Sequence, residues 1–241
     1  MHVLRNRKTT IIFGQKQSSF FLSPCGYFFD TGGREKNMVT FVILNNEKNI
    51  LKPEKKIGEG HFRECFAVEG EPGLCIKKLK PTLSFWQRLQ LFLLRRNINR
   101  EEYNVYYRLP SELKPYFNPA VSISSDSLIV VRPMDYDGSH SRPVSDYGKV
   151  SNRIFWEEVE HIVSLFEKHN FWFLDAFQLG TNVFVQRLSE EQWRPVIIDY
   201  KRQGWRSYPM QLNLLMHSEK RKKFYRKYRR FLTLFKDNPA K

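Results

Sequence analysis

Asn182 and Asp199 bracket a predicted β-hairpin. Asn182 precedes the apolar run 183–188, and Asp199 follows the apolar run 193–198. The polar turn Ser189-Glu-Glu-Gln192 joins the runs, which are short and rich in β-branched and aromatic residues, as strands are. A symmetric hairpin sets Leu188 opposite Trp193 and Asn182 opposite Asp199. An amide oxygen beside a carboxylate gives two hard ligands, suited to Mg²⁺ next to phosphate groups. The same two residues also suit ordinary turn chemistry, Asn182 as a cap and Asp199 as a strand end. Asp175 lies seven residues before Asn182 and is the nearby carboxylate that could act as a base.

A second group of residues with chemical promise comes early in the chain. Ile57-Gly58-Glu-Gly60-His-Phe62-Arg63 reads as a strand junction in which glycines let backbone amides approach phosphate oxygens. Such a Gly-x-Gly is also a common hairpin turn. The following strand carries Cys75-Ile76-Lys77, and strand alternation puts Cys75 and Lys77 on one face. A lysine in a half-buried strand needs a partner charge. Glu102 offers one, on a predicted helix over 100–109 that sets Glu102, Tyr106 and Leu109 along one side. Two exposed, unpaired charges are the plainer alternative.

These side chains need a scaffold. Residues 51–59, 64–69, 74–79, 120–123 and 127–134 read as five strands, with a turn at Gly70-Glu-Pro-Gly73. Together they predict an antiparallel five-stranded sheet. The segment 135–143 is turn-rich. Residues 154–169 form an amphipathic helix with Ile154, Phe155, Val159, Ile162, Val163 and Phe166 on its apolar face. Phe171-Trp-Phe-Leu174 reads as core leading into the Asp175 loop.

The order of these features (glycine hairpin, strand lysine, helix glutamate, then Asn and Asp around a late hairpin) resembles the protein-kinase-like fold. More narrowly, the chain resembles the PhoP regulatory network protein YrbL family. The likeness rests on Cys75-Ile-Lys77, on Glu102 with Tyr106 and Leu109, and on the closing segment with Asp199, Tyr208-Pro209, Arg221 and Phe231. It implies an α+β, two-lobe architecture, with the five-stranded antiparallel sheet as N-lobe (38–134) and a reduced helical C-lobe (135–241). It also implies an ATP site in which Gly58, Gly60 and Lys77 hold phosphates, Glu102 holds Lys77, and Asn182 and Asp199 hold Mg²⁺. If phosphoryl transfer occurs, the acceptor is expected at the bacterial envelope, by analogy with sugar and lipopolysaccharide-core kinases.

The sequence departs from that pattern at informative places. Arg63 stands where a third glycine is usual. Phe177 stands five residues before Asn182, where kinases of this type carry a catalytic Asp. Tyr200-Lys201 follows Asp199, so Asp-Phe-Gly is absent. Phe177 and the missing Asp-Phe-Gly favour an alternative, a non-catalytic regulatory module that engages a membrane or an acidic partner through its basic C-terminal helix.

Charge is unevenly spread. The formal net charge is +15. Residues 216–241 hold ten Lys/Arg and two Asp/Glu, whereas residues 38–215 hold 24 and 21. Two predicted helices are basic and aromatic. Residues 218–236 place Phe224, Tyr228, Phe231 and Phe235 on one stripe, and residues 84–96 carry Phe85, Trp86, Leu89, Phe92 and Leu93 with Arg88, Arg95 and Arg96. Each stripe can dock on the core, lie on an anionic membrane or, with least support, accompany nucleic-acid phosphates. The three cysteines show no metal or disulfide spacing, which fits a reducing cytoplasm. Residues 1–37 read as a disordered or untranslated extension, with Met38 as the expected start. Mass spectrometry of the native N-terminus tests this, and peptides from 1–37 refute it.

Overall fold

The computed structural model describes residues 3–6, 9–12, 20–22, 28–30, 51–93, 97–124, 126–200 and 216–237, the first four segments by backbone alone. The expected start at Met38 and the Tyr208-Pro209 pair lie outside these residues. Near the N-terminus, β1 (Val3–Asn6) pairs with β2 (Thr9–Ile12), and β3 (Phe20–Leu22) pairs with β4 (Phe28–Asp30).

The main sheet contains β5 (Pro53–Glu59), β6 (Arg63–Val68), β7 (Glu71–Leu79), β8 (Ala120–Ile123) and β9 (Ser127–Val131). It is antiparallel, in the order β5-β6-β7-β9-β8. The turn into β7 is tighter than the sequence suggests. Gly70 alone takes the left-handed conformation (φ 73°), and pairing resumes at Glu71. Strand β9 stops at Val131, short of the expected Met134, because Pro133 has no N–H to continue a ladder. The chain instead folds back on itself, with Asp135 N donating to Ser139 O at 2.8 Å.

Four helices are described, and with the sheets they make an α+β protein. They are α1 (Phe85–Leu93), α2 (Ile98–Arg108), α3 (Arg153–His169) and α4 (His217–Phe235). Asn97 caps α2, its Oδ1 accepting from Arg100 N at 2.9 Å. That helix lies against β8 and β9 and buries Ile98, Asn99 and Glu102. Asn152 caps α3 in the same way through Phe155 N, and Asn170 ends it in the left-handed conformation.

A second, three-stranded sheet is made by β10 (Arg142–Pro143), β11 (Val183–Arg187) and β12 (Trp193–Ile197). The late hairpin therefore exists, but its register is one residue away from the symmetric one. Arg187 faces Trp193, and Val183 faces Ile197. Leu188 N and Ser189 N both donate to Gln192 O, so the turn absorbs one residue more than expected. Asn182 consequently lies opposite Ile198, whose N–H donates to its carbonyl at 2.9 Å, and Asp199 falls one residue further out.

The largest core is aromatic. Phe117, Phe155, Phe166, Phe173, Phe177, Phe224 and Phe231 are all buried in one cluster with Trp156, Trp172 and Tyr200. Helix α4 supplies Phe224, Tyr228 and Phe231 to it, so the stripe of the basic C-terminal helix is core. The two sheets meet where Phe117 bridges to Ile197 and where Tyr200 Oη donates to Asn118 O at 2.6 Å.

Candidate functional site

The face of β7 that carries Lys77 turns toward α2. Cys65 pairs with Lys77 across β6 and β7, so alternation places Arg63, Cys65, Cys75 and Lys77 on one side of the sheet. Helix α2 brings Glu102 over that face, one turn after its Asn97 cap. Lys77 Nζ donates to Glu102 Oε1 at 2.6 Å, and both residues are buried. The pair read from the sequence is thus formed, and neither charge is exposed.

Glu102 has a second partner that the sequence reading passed over. Its Oε2 accepts from Arg63 Nη2. The same nitrogen donates to Asp199 Oδ1 at 2.5 Å, and Arg63 Nη1 donates to Asn99 Oδ1 at 3.2 Å. Asn99 is held in turn by Asp126 O. Burial works against the charge on Arg63, but Glu102 and Asp199 outweigh it and hold the guanidinium pKa above its ordinary value. Lys77, Glu102, Arg63 and Asp199 therefore form one continuous chain of charges linking the main sheet, α2 and the end of β12. Removing Glu102 leaves the buried Lys77 charge uncompensated.

Asp199 reaches Arg63 from an uncommon backbone. It has φ 53°, in the left-handed region that Asp tolerates better than most residues. Tyr200 follows as a buried anchor against Phe117 and Asn118 O, and burial pushes its phenol pKa well above the usual value. Cys65 also feels this cluster. The hydrogen bond from Cys75, with Lys77 and Arg63 nearby, lowers its pKa to about 7 against the opposing effect of burial.

The glycines flank this chain of charges. Gly58 lies in β5 opposite Cys65, and Gly60 N donates to Arg63 O at 2.8 Å, closing the β5–β6 turn. A Cβ on Gly58 would meet Cys65 Cβ at 3.8 Å, and one on Gly60 would meet Arg63 O at 3.7 Å, both ordinary contacts. Neither residue has a positive φ. Local packing does not require glycine at either position, and the Gly60 N–H is already spent on Arg63 O.

The remaining sequence candidates are placed less simply. Asn182 Nδ2 donates to Asp175 O at 2.9 Å, which fixes the amide and ties the loop to the hairpin. The Asp175 carboxylate accepts from Lys227 Nζ of α4 at 3.0 Å. Lys227 also reaches Gln178 Oε1 at 2.7 Å. Phe177 is buried against Phe224, Tyr228 and Phe231. The loop is therefore shaped by its packing on α4.

The residues present do not suit a divalent metal in this arrangement. The Asp199 carboxylate already carries the guanidinium of Arg63, and that fixed positive charge opposes a cation at the same oxygens. Among the described residues no group of three or more His, Cys, Asp and Glu is placed to hold a metal ion. The Lys77 ammonium has three N–H donors, and Glu102 takes one of them.

Arg63 is the functional candidate that the sequence reading missed. It entered as a missing third glycine, although a strand arginine in alternation with Cys65 already shared the Lys77 face. No family model matches the chain, and no curated protein matches it.

Proposed function

We propose that this chain is a kinase-like, two-lobe nucleotide-binding protein of the YrbL type that works as a non-catalytic module. In this reading the main sheet with α2 is the first lobe, and the late hairpin with α3 and α4 is a reduced second lobe. Lys77 contacts the nucleotide phosphates and is oriented by Glu102. Gly58 and Gly60 let the β5–β6 backbone approach them. Arg63 ties Glu102 to Asp199 and so joins the two lobes.

The observation that carries the reading is the buried Lys77–Glu102 pair beside a hairpin whose glycines local packing does not explain. The non-catalytic part is supported by Phe177, which cannot take a proton, and by Asp175, whose carboxylate is paired with Lys227. A phosphotransferase acting at the bacterial envelope is the second reading. It is favoured by the bond from Asn182 to the Asp175 main-chain carbonyl, which keeps Asp175 close to the hairpin end.

Thermal unfolding with ATP, with Mg²⁺ added and with Mg²⁺ chelated, tests the first reading. Wild type is expected to be stabilised under both conditions, and Lys77→Ala under neither. A wild type that ATP leaves unmoved refutes nucleotide binding. Stabilisation that requires Mg²⁺ restores Asn182 and Asp199 as metal ligands. Release of labelled γ-phosphate that disappears in Asp175→Asn establishes the phosphotransferase instead.

A further inference from the structure

We infer that α1 is a lipid-facing element that seats the protein on an anionic phospholipid surface. Helix α1 is docked with its polar side inward. Ser84 and Gln87 cap each other at its N-terminus, Gln87 N donating to Ser84 Oγ at 3.2 Å and Ser84 N donating to Gln87 Oε1 at 2.9 Å. Gln87 Nε2 then donates to His61 O at 3.1 Å, at the tip of the β5–β6 hairpin. The Arg88 guanidinium donates to Leu83 O at 3.1 Å and to Pro81 O at 2.8 Å. Polar side chains hold this helix to the protein, and none of its residues is buried.

The outward side is apolar. Phe85 is 72% exposed, Trp86 74%, Phe92 78% and Leu93 66%. These residues fall one turn and two turns apart, with Leu89 between them, and form one stripe on the helix. Contiguous aromatic and aliphatic surface of this kind marks a contact with something else. The helix is about 14 Å long, at the usual rise per residue, far too short to cross a bilayer but long enough to lie in its headgroup region.

Charge identifies the occupant. Between Pro81 and Arg100 the chain has no Asp or Glu, while Arg88, Arg95, Arg96 and Arg100 all carry positive charge. Arg100 is exposed at the far end of the segment, and Arg88, exposed as well, keeps its charge although its guanidinium also bonds Leu83 O and Pro81 O. Trp and Phe beside arginines suit the boundary between anionic headgroups and acyl chains. Helix α4 is more basic than α1 but has already committed its stripe to the core, and it lacks an apolar face to insert. The polar side of α1 meets the glycine hairpin at His61 O, so the lipid face lies next to the hairpin of the candidate nucleotide site.

Co-sedimentation of the whole chain with vesicles tests the inference. Vesicles of phosphatidylglycerol in phosphatidylcholine are compared with phosphatidylcholine alone. Wild type is expected on the anionic vesicles and not on the neutral ones. The variant Phe85→Ser/Trp86→Ser/Phe92→Ser is expected to lose at least about tenfold in binding, since it removes the inserted apolar surface. The variant Arg226→Gln/Arg229→Gln/Arg230→Gln, altered on the exposed face of α4, is expected to keep its binding. Vesicle binding by the serine variant equal to wild type overturns the inference. So does loss of binding confined to the α4 variant, which assigns the contact to charge alone. Absence of wild-type binding, with self-association that the serine variant abolishes, overturns it in favour of a second copy of the chain.

Discussion

Helix α4 turns Phe224 and Phe231 into the aromatic core, each 1% exposed, and leaves Arg226, Arg229 and Arg230 to solvent. Helix α1 turns Gln87 toward the glycine hairpin and leaves Phe85, Trp86 and Phe92 outside. The two helices have the same kind of sequence, an aromatic stripe at helical spacing among basic residues. Their opposite seating shows that amphipathic periodicity reports which residues share a side and not which side meets the protein. What decides is the surface next to each helix. α4 lies over Phe166, Trp172 and Phe177, an apolar floor. α1 follows β7 through a short turn and meets the backbone of that turn and of the hairpin tip, which offer carbonyl oxygens.

The sharpest test of the contrast is to cut one aromatic from each stripe. Phe231 packs on Trp156, Phe177 and Phe235, and Phe231→Ala leaves a cavity in the largest core. A loss of about 3–5 kcal/mol in unfolding free energy is expected, read by urea denaturation. A loss below about 1 kcal/mol would mean that α4 is as loosely held as α1 and would dissolve the comparison.

Gly180 tests how closely the Asp175 loop is fitted to the end of α4. It has φ 69°, and a Cβ there would lie 2.8 Å from two carbons of the Phe235 ring and 3.1 Å from Ser145 N. The ring can yield, but the backbone nitrogen and the left-handed conformation cannot. Gly180→Ala is expected to cost about 1–3 kcal/mol, with Gly180→Ser no better. Full tolerance of alanine would show that the loop and α4 are not packed as described.

A smaller effect is expected at Lys227, the polar tie between α4 and the same loop. Its side chain and that of Asp175 are each about one-fifth exposed, so solvent screens part of their attraction. Lys227→Met keeps the aliphatic stem and removes the charge, and is expected to cost about 1 kcal/mol or less. In the non-catalytic reading it also changes no phosphate release, because Asp175 is not acting as a base. Release of γ-phosphate that appears on removing the Lys227 charge would instead mark Lys227 as a restraint on a working enzyme.

Much of this arrangement was legible in the sequence, for reasons that can be named. Strand alternation placed Lys77 on one face of β7, and the burial rule for lysine demanded a partner, which helical spacing supplied as Glu102. The five strands of the main sheet followed from short apolar runs between turn residues. The register of the late hairpin was not legible, because it is set by how Ser189 and Gln192 bond across the turn. Asp199 still reaches the cluster, through a left-handed backbone angle that its residue type permits but does not announce. Arg63 was hidden for a different reason. Measured against a glycine pattern it reads as a loss, whereas the structure gives it three partners and makes it the link between Glu102 and Asp199. The orientation of α1 was beyond reach, since the same stripe pattern gave the right answer for α4.

The mildest prediction is also the one that isolates α1. Phe92 is the most exposed of its aromatic residues, and Phe92→Ser removes a ring that touches no core. Serine and phenylalanine have nearly equal helix propensity, and no cavity forms, so the change in unfolding free energy is expected to stay within about 0.5 kcal/mol. The helix is held by Ser84, Gln87 and Arg88, which this substitution does not touch. A ring kept outside without benefit to the fold must be explained by something outside the fold. Destabilisation by more than about 1 kcal/mol would show instead that the α1 stripe is covered by the protein's own chain, and α1 would then join α4 as a core helix.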